Sequence, residues 1–402
     1  MTRRVPVVLA LACALLLPVA ATAATDSPAP SPTAIAVPVV GPPAGTGPVG
    51  PEWRMVAQRP LGATEVGVVR CEAGFTAYAS GRDHTSRSVP KGTLRALVWH
   101  SPDGVTWSRG AEITPRPSAG GTWSGVLGLI RFGERLYAVG GEGQALAVWT
   151  SDDCGATWDR IPDRSFALGQ ESAGLDVLEL AATDDRLMVL GFQGGEEIPH
   201  RQWAWTMDRD GTWAAIPGGL DGIVDDVLTA DATAFHGLRM VAPHDTSSGT
   251  IAMTSTDGRT WAPGVTIPDP DGWDARITGD GRWLTLTEPD AGTTKTSVIS
   301  RSDDLASWTP IAQTASLPSD ARSRLDVADG IAAWSVRPGS TDARPDGWIA
   351  TSEDAGDTWE VSAGWPGLVL GGAESVAAND RSIALIGSGP DFDRVRILVR
   401  DR

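Results

Sequence analysis

Beyond about residue 50, short apolar runs alternate with polar turns, and no stretch keeps the three-to-four-residue period of an amphipathic helix. One unit shows the pattern clearly. Leu127-Gly128-Leu129-Ile130 is apolar, Arg131 to Glu134 is polar, and Arg135-Leu136-Tyr137-Ala138-Val139 is apolar again. Two such runs joined by so few polar residues predict a β-hairpin. Counterparts turn at Asp184-Asp185, His236-Gly237, Asp280-Gly281, Asp329-Gly330 and Asn379-Asp380, residue types that accept tight-turn backbone angles. Each unit then offers a third run, such as Ala96-Leu97-Val98-Trp99, Ala145-Leu146-Ala147-Val148-Trp149 or Trp348-Ile349-Ala350.

A short motif closes each third run. The clearest copy is Ser352-Glu353-Asp354-Ala355-Gly356-Asp357-Thr358-Trp359; others begin at Ser101, Ser151 and Ser255. Two are degenerate, Thr206 to Trp213 with Asp210 in the glycine position, and Ser302 to Trp308. The closing tryptophans fall at 107, 158, 213, 261, 308 and 359, at intervals of 51, 55, 48, 47 and 51. A further strand follows each tryptophan. Four short antiparallel strands per unit of about fifty residues make a propeller blade. Trp53-Arg54-Met55-Val56 resembles the segment after such a motif, and the chain ends on three strands that lack a fourth. The N-terminal strand is therefore expected to complete the C-terminal blade and hide both edges. The fold expected is all-β, a seven-bladed β-propeller of four-stranded antiparallel blades.

Over residues 53 to 402 the motif resembles the Asp-box (BNR repeat) propeller families: sialidases, sortilin-type receptors, certain xyloglucan-degrading enzymes and photosystem II assembly-factor propellers. The motif has a physical job. Its carboxylate accepts turn amides, its glycine takes a positive φ, and its tryptophan packs between sheets. Asp103, Trp107, Asp153, Trp158, Asp208, Trp213, Asp257, Trp261, Trp308, Asp354 and Trp359 are assigned that structural role. The sialidase catalytic set is missing. That family needs three arginines, a tyrosine nucleophile with a glutamate partner and an acid/base aspartate. Here Val56-Ala57-Gln58-Arg59-Pro60-Leu61 stands where an F-R-I-P-like segment would, and Tyr78 and Tyr137 both lie early.

Composition adds three points. Seventeen Trp beside two Tyr and six Phe fit one copied motif. Residues 1–23 read as an export signal, with Arg3 and Arg4 before an apolar run and Ala21-Thr22-Ala23 as cleavage site. Secretion is expected, with a lipid anchor through Cys13 as the alternative. Residues 24–50, dense in Pro, Ala and Gly, read as a disordered linker before the propeller at 51–402. The net charge of 33 − 50 = −17 becomes 31 − 50 = −19 after cleavage, which disfavours nucleic acid as a partner. No transmembrane span is expected in the mature chain. Cleavage leaves Cys71 and Cys154, a candidate disulfide in an oxidising compartment. Their places in the repeat put one near the inner and one near the outer part of the same face, so pairing stays open.

In such a blade the motif turn and the first hairpin turn share one face, the turn face. The remaining loops share the opposite loop face, where propellers usually bind ligands. His84, His200 and His244 fall in those loops, with Glu196, Glu197 and Asp391 as carboxylates. Solvated loop residues are the plainer reading beside an acid–base or metal site. Trp123, Trp273 and Trp365 sit in blade-to-blade connections, where indoles suit sugar stacking or packing. No catalytic residue, metal or cofactor is assigned. The expectation is a monomeric, non-catalytic, secreted or cell-surface propeller that recognises a protein, peptide or carbohydrate. A glycoside hydrolase using loop carboxylates is the first alternative, and an envelope assembly or stability factor the second.

Overall fold

The computed structural model describes residues 37–41, 50–60, 62–82, 95–116, 124–142, 145–167, 175–195, 198–216, 220, 228–241, 249–267, 274–277, 282–288, 293–305, 307–337, 347–363, 372–388 and 394–402. The expected export signal and most of the expected linker, residues 24–36 and 42–49, lie outside them, as does the expected turn at Asp280-Gly281. No helix among the described residues is long and apolar enough to cross a membrane.

Seven four-stranded antiparallel sheets carry the fold. Blades 1 to 6 span residues 62–109, 124–161, 175–216, 228–267, 274–313 and 322–363. Blade 7 combines residues 372–401 with Arg54–Pro60. The first strands of successive blades touch one another in turn, and that of blade 7 touches that of blade 1, so they ring a central channel. Second strands such as Arg135–Glu142 are buried along nearly their whole length. Sheets press on both of their faces, which is why they read as continuous apolar runs instead of alternating ones. Outermost strands can be short and exposed, as at Ser108–Arg109.

The ring closes as expected. Arg54–Pro60 pairs antiparallel with Arg394–Asp401, Arg54 opposite Val399 and Pro60 opposite Arg394. Apolar clusters fill all seven seams between neighbouring blades. Six of the seams each take one tryptophan from the repeat: Trp107, Trp158, Trp213, Trp261, Trp308 and Trp359. Blade 7 has no such motif, and Trp53 from the N-terminal segment fills its seam with blade 6, only 2% exposed. Arg400 lies over the Trp53 ring at 5.7 Å and bonds to Glu360 and Thr351 of blade 6, tying the closure strand's partner to the neighbouring blade.

The structure departs from the sequence reading at two places. The first hairpin of blade 4 turns at residues 231–234, not at His236-Gly237, which lie inside the strand Phe235–Val241. The Asp231 carboxylate forms the turn by accepting the Thr233 and Ala234 amides at 2.7 and 2.8 Å. Val37–Gly41, read as linker, docks on blade 5 instead. Val39 forms a parallel bridge with Gln313, and Val40 is buried in the seam between blades 5 and 6. Pro38 and Gly41 made this stretch look structureless, but a proline is compatible with a sheet edge. Cys71 and Cys154, the candidate pair that the sequence leaves open, are bonded, with Cα atoms 5.8 Å apart. The motif turn of blade 2 leans onto blade 1, where the Thr76 hydroxyl donates to the Cys154 carbonyl at 2.5 Å, and this brings outer and inner positions together.

Candidate functional site

The recurrent carboxylates are the first place to look for chemistry, and the turns consume them. Asp103 accepts the Val105 and Thr106 amides, and Asp257 the Arg259 and Thr260 amides. Asp153 and Asp354, in turns one residue longer, accept the Thr157 and Thr358 amides at 2.8 Å each. In all four a serine hydroxyl donates to the same carboxylate. The Thr106 amide, against the cost of burial, holds the Asp103 carboxyl below its ordinary range. Burial raises the Asp257 carboxyl, but the Thr260 and Arg259 amides outweigh it and bring it to about 2. Such groups are permanent anions with their lone pairs engaged.

Two assignments within the motif change. Asp208 does not cap its turn; it accepts the Arg186 guanidinium at 2.7 Å, and Asp210 takes the Thr212 amide instead. With Asp210 in place of the glycine, the chain makes an ordinary hairpin turn closed by Gly211. Asp304, not singled out in the sequence, is a full member. It accepts the Ser307 amide at 2.8 Å while Leu305 takes the glycine's place at φ 60°.

A second set of carboxylates lies at the turn-face mouth of the central channel. First hairpin turns of blades 2, 3, 4 and 6 surround a recess of about 600 Å³. Arg131 and Gly133 come from blade 2, Thr183 and Asp184 from blade 3, Asp231 from blade 4 and Asp329 from blade 6; Arg209 reaches in from the last turn of blade 3. Local sequence fixes each turn. Thr183 receives the Arg186 amide on its hydroxyl at 3.0 Å. Asp329 and Gly330 both take positive φ, 52° and 76°, as a two-residue hairpin turn requires. Bonds between blades hold the turns in register: the Asp184 amide donates to the Ala232 carbonyl at 2.9 Å, and Asp329 accepts the Ala378 amide at 3.1 Å.

The carboxylates at the mouth divide: Asp231 behaves like those of the recurrent turns, and Asp329 does not. Burial raises the Asp231 carboxyl, yet the Thr233 amide, His236 ring and Ala234 amide outweigh it and hold it at about 2. Asp329 is open to solvent but surrounded by enough protein that its carboxyl is raised; the Ala378 amide and the nearby Arg70 and Arg131 guanidiniums offset this only in part. Arg131 spends its Nε on the Gly133 carbonyl at 3.0 Å. Arg209 meets Asp185 at 3.5 Å with both side chains largely exposed. The mouth therefore presents guanidinium and carboxylate groups side by side, suited to a polar ligand bearing hydrogen-bonding groups of both kinds. Among the described residues, no group of three His, Cys, Asp or Glu is placed to hold a metal ion.

Of the loop-face candidates, His84, His244, Trp123, Trp273, Trp365, Glu196, Glu197 and Asp391 lie outside the described residues. His200 falls in the strand Ile198–Asp208. The channel-mouth residues were visible in sequence only as turn formers. Their signal was a charged residue recurring at the first hairpin of each unit, about fifty residues apart.

No family model matches the chain, and no curated protein matches it either. Among solved structures it is similar to an α-L-arabinanase of Penicillium chrysogenum complexed with arabinobiose, at 13% identity and TM-score 0.41 over 88% of this chain and 98% of that one. It is also similar to Trypanosoma rangeli sialidase in complex with the inhibitor DANA, at 13% identity and TM-score 0.42 over 71% and 57%. The β-propeller domain of the Trilobed protease from Pyrococcus furiosus gives 9% identity and TM-score 0.47 over 84% and 94%.

Proposed function

We propose that this chain is an exported, non-catalytic recognition propeller that holds a polar segment of a protein, peptide or carbohydrate over the turn-face channel mouth. The observation that carries this reading is the contrast in how carboxylates are used. Those of the recurrent turns are committed to amides, whereas Arg131, Arg209, Asp184 and Asp329 converge on one recess with bonding capacity left over. Export is supported by the N-terminal sequence and by the Cys71–Cys154 bond, which is at home in an oxidising compartment.

A glycoside hydrolase is the second reading, and one observation favours it. Asp329, with its carboxyl raised, and Asp231, held at about 2, line the same recess, the asymmetry that acid–base pairs use. One experiment separates the two. The mature chain is screened on glycan and peptide arrays, and hits are rechecked with Arg131→Ala and for bond cleavage. Recognition predicts intact ligands whose affinity falls about tenfold or more in the variant. Released sugar that disappears in Asp329→Asn selects the hydrolase, and hits indifferent to Arg131→Ala reject this face.

A further inference from the structure

We propose that the outer edge of blade 5 is a strand-addition site for an extended, uncharged peptide containing proline and valine, and that Val37–Gly41 fills it as a resident ligand. The contacts are those of an added strand. Gln313, the last residue of the outermost strand Thr309–Gln313, donates its amide to the Pro38 carbonyl at 3.0 Å and accepts the Val40 amide at 2.6 Å. Its side-chain amide adds a bond to the Val37 carbonyl at 3.4 Å. The pairing is parallel, with Val39 opposite Gln313.

Side chains alternate as in a strand. Val39 is 63% exposed, and Val40, 7% exposed, enters an apolar cluster that includes Leu286, Ala312 and Trp348. This divides the recognition in two. The backbone bonds accept any extended segment, and the Val40 site selects a small apolar side chain and rejects a charged one, which would be buried among apolar groups. Among the described residues the ladder bonds fall on Gln313 alone, so a segment of the same chemistry in another protein competes with few contacts. Blade 5 is the one blade that carries such an added segment among the described residues. The site lies on the rim, so its loss leaves the channel-mouth reading standing.

The test uses the full mature chain and a fluorescent peptide with the sequence of residues 36–41, Ala-Val-Pro-Val-Val-Gly. Val40→Asp in the protein should expel the resident segment, and the peptide should then bind the variant about tenfold or more tighter than it binds the wild type. The same peptide with Asp at the Val40 position should bind neither. Equal affinity for both proteins, or binding to neither, overturns the proposal. A second variant guards against misfolding of the first: a protease site is inserted between Gly41 and Gly50 and cut after folding. Added peptide should then release the N-terminal fragment in a dose-dependent way. A fragment retained at saturating peptide shows that the segment is a fixed part of the fold.

Discussion

Asp257 and Asp329 both sit in turns on the same face of the ring, yet they spend their charge in opposite ways. Asp257 gathers two amides and a serine hydroxyl and titrates near 2. Asp329 accepts the Ala378 amide, is open to solvent yet crowded by protein on its other sides, and has its carboxyl raised. The recurrent turns repeat at the rim of each seam and fasten the strand order. The channel mouth is made once, from four blades, and brings guanidinium and carboxylate groups together in one recess. Accepted amides drive a carboxyl down, and burial that they do not offset lets it rise.

Breaking the rim should have the largest effects. Trp53→Ala empties the seam between blades 6 and 7 and should cost roughly 3–5 kcal/mol in urea denaturation. Next comes the Cys71→Ser, Cys154→Ser double variant, expected to lose about 2–4 kcal/mol on the same assay. Asp257→Ala strands two amides and a hydroxyl and should cost about 1–3 kcal/mol. At the mouth, Asp329→Asn should change neutral-pH stability by no more than about 0.5 kcal/mol, since asparagine tolerates the positive φ and keeps an acceptor. A loss as large as that of Asp257→Ala would place Asp329 with the structural turns.

Acid titration sharpens the same contrast. The recurrent carboxylates have folded values below the unfolded one, so their stabilisation is complete above about pH 4 and is lost as the pH falls toward about 2. Asp257→Asn should flatten that fall. Asp329 acts in the opposite sense. Its folded form takes up a proton first, so its contribution to stability grows as the pH drops from neutrality toward the ordinary carboxyl range, and Asp329→Asn abolishes that growth.

The blades were legible because each apolar run is bounded by residues with one local meaning, and because Trp53 stands one period before Trp107. What escaped was set by packing across blades. Leu305 concealed the turn capped by Asp304, since glycine alone marks a positive φ in sequence. The near match of Thr206 to Trp213 made Asp208 look like a cap. Pro and Gly around Val40 hid an added strand whose partner, Gln313, lies far along the chain. The Cys71–Cys154 bond depends on the lean of one blade's turn onto its neighbour, which spacing does not encode. The channel mouth needs four turns about fifty residues apart to meet, so no single segment announces it.

Carbon-detected NMR titration of the aspartate carboxyls in the folded chain tests the distinction most directly. Asp329 is predicted to titrate above the ordinary 3.8, and Asp257 near 2. An Asp329 carboxyl titrating at or below 3.8, alongside those of the recurrent turns, would contradict the account.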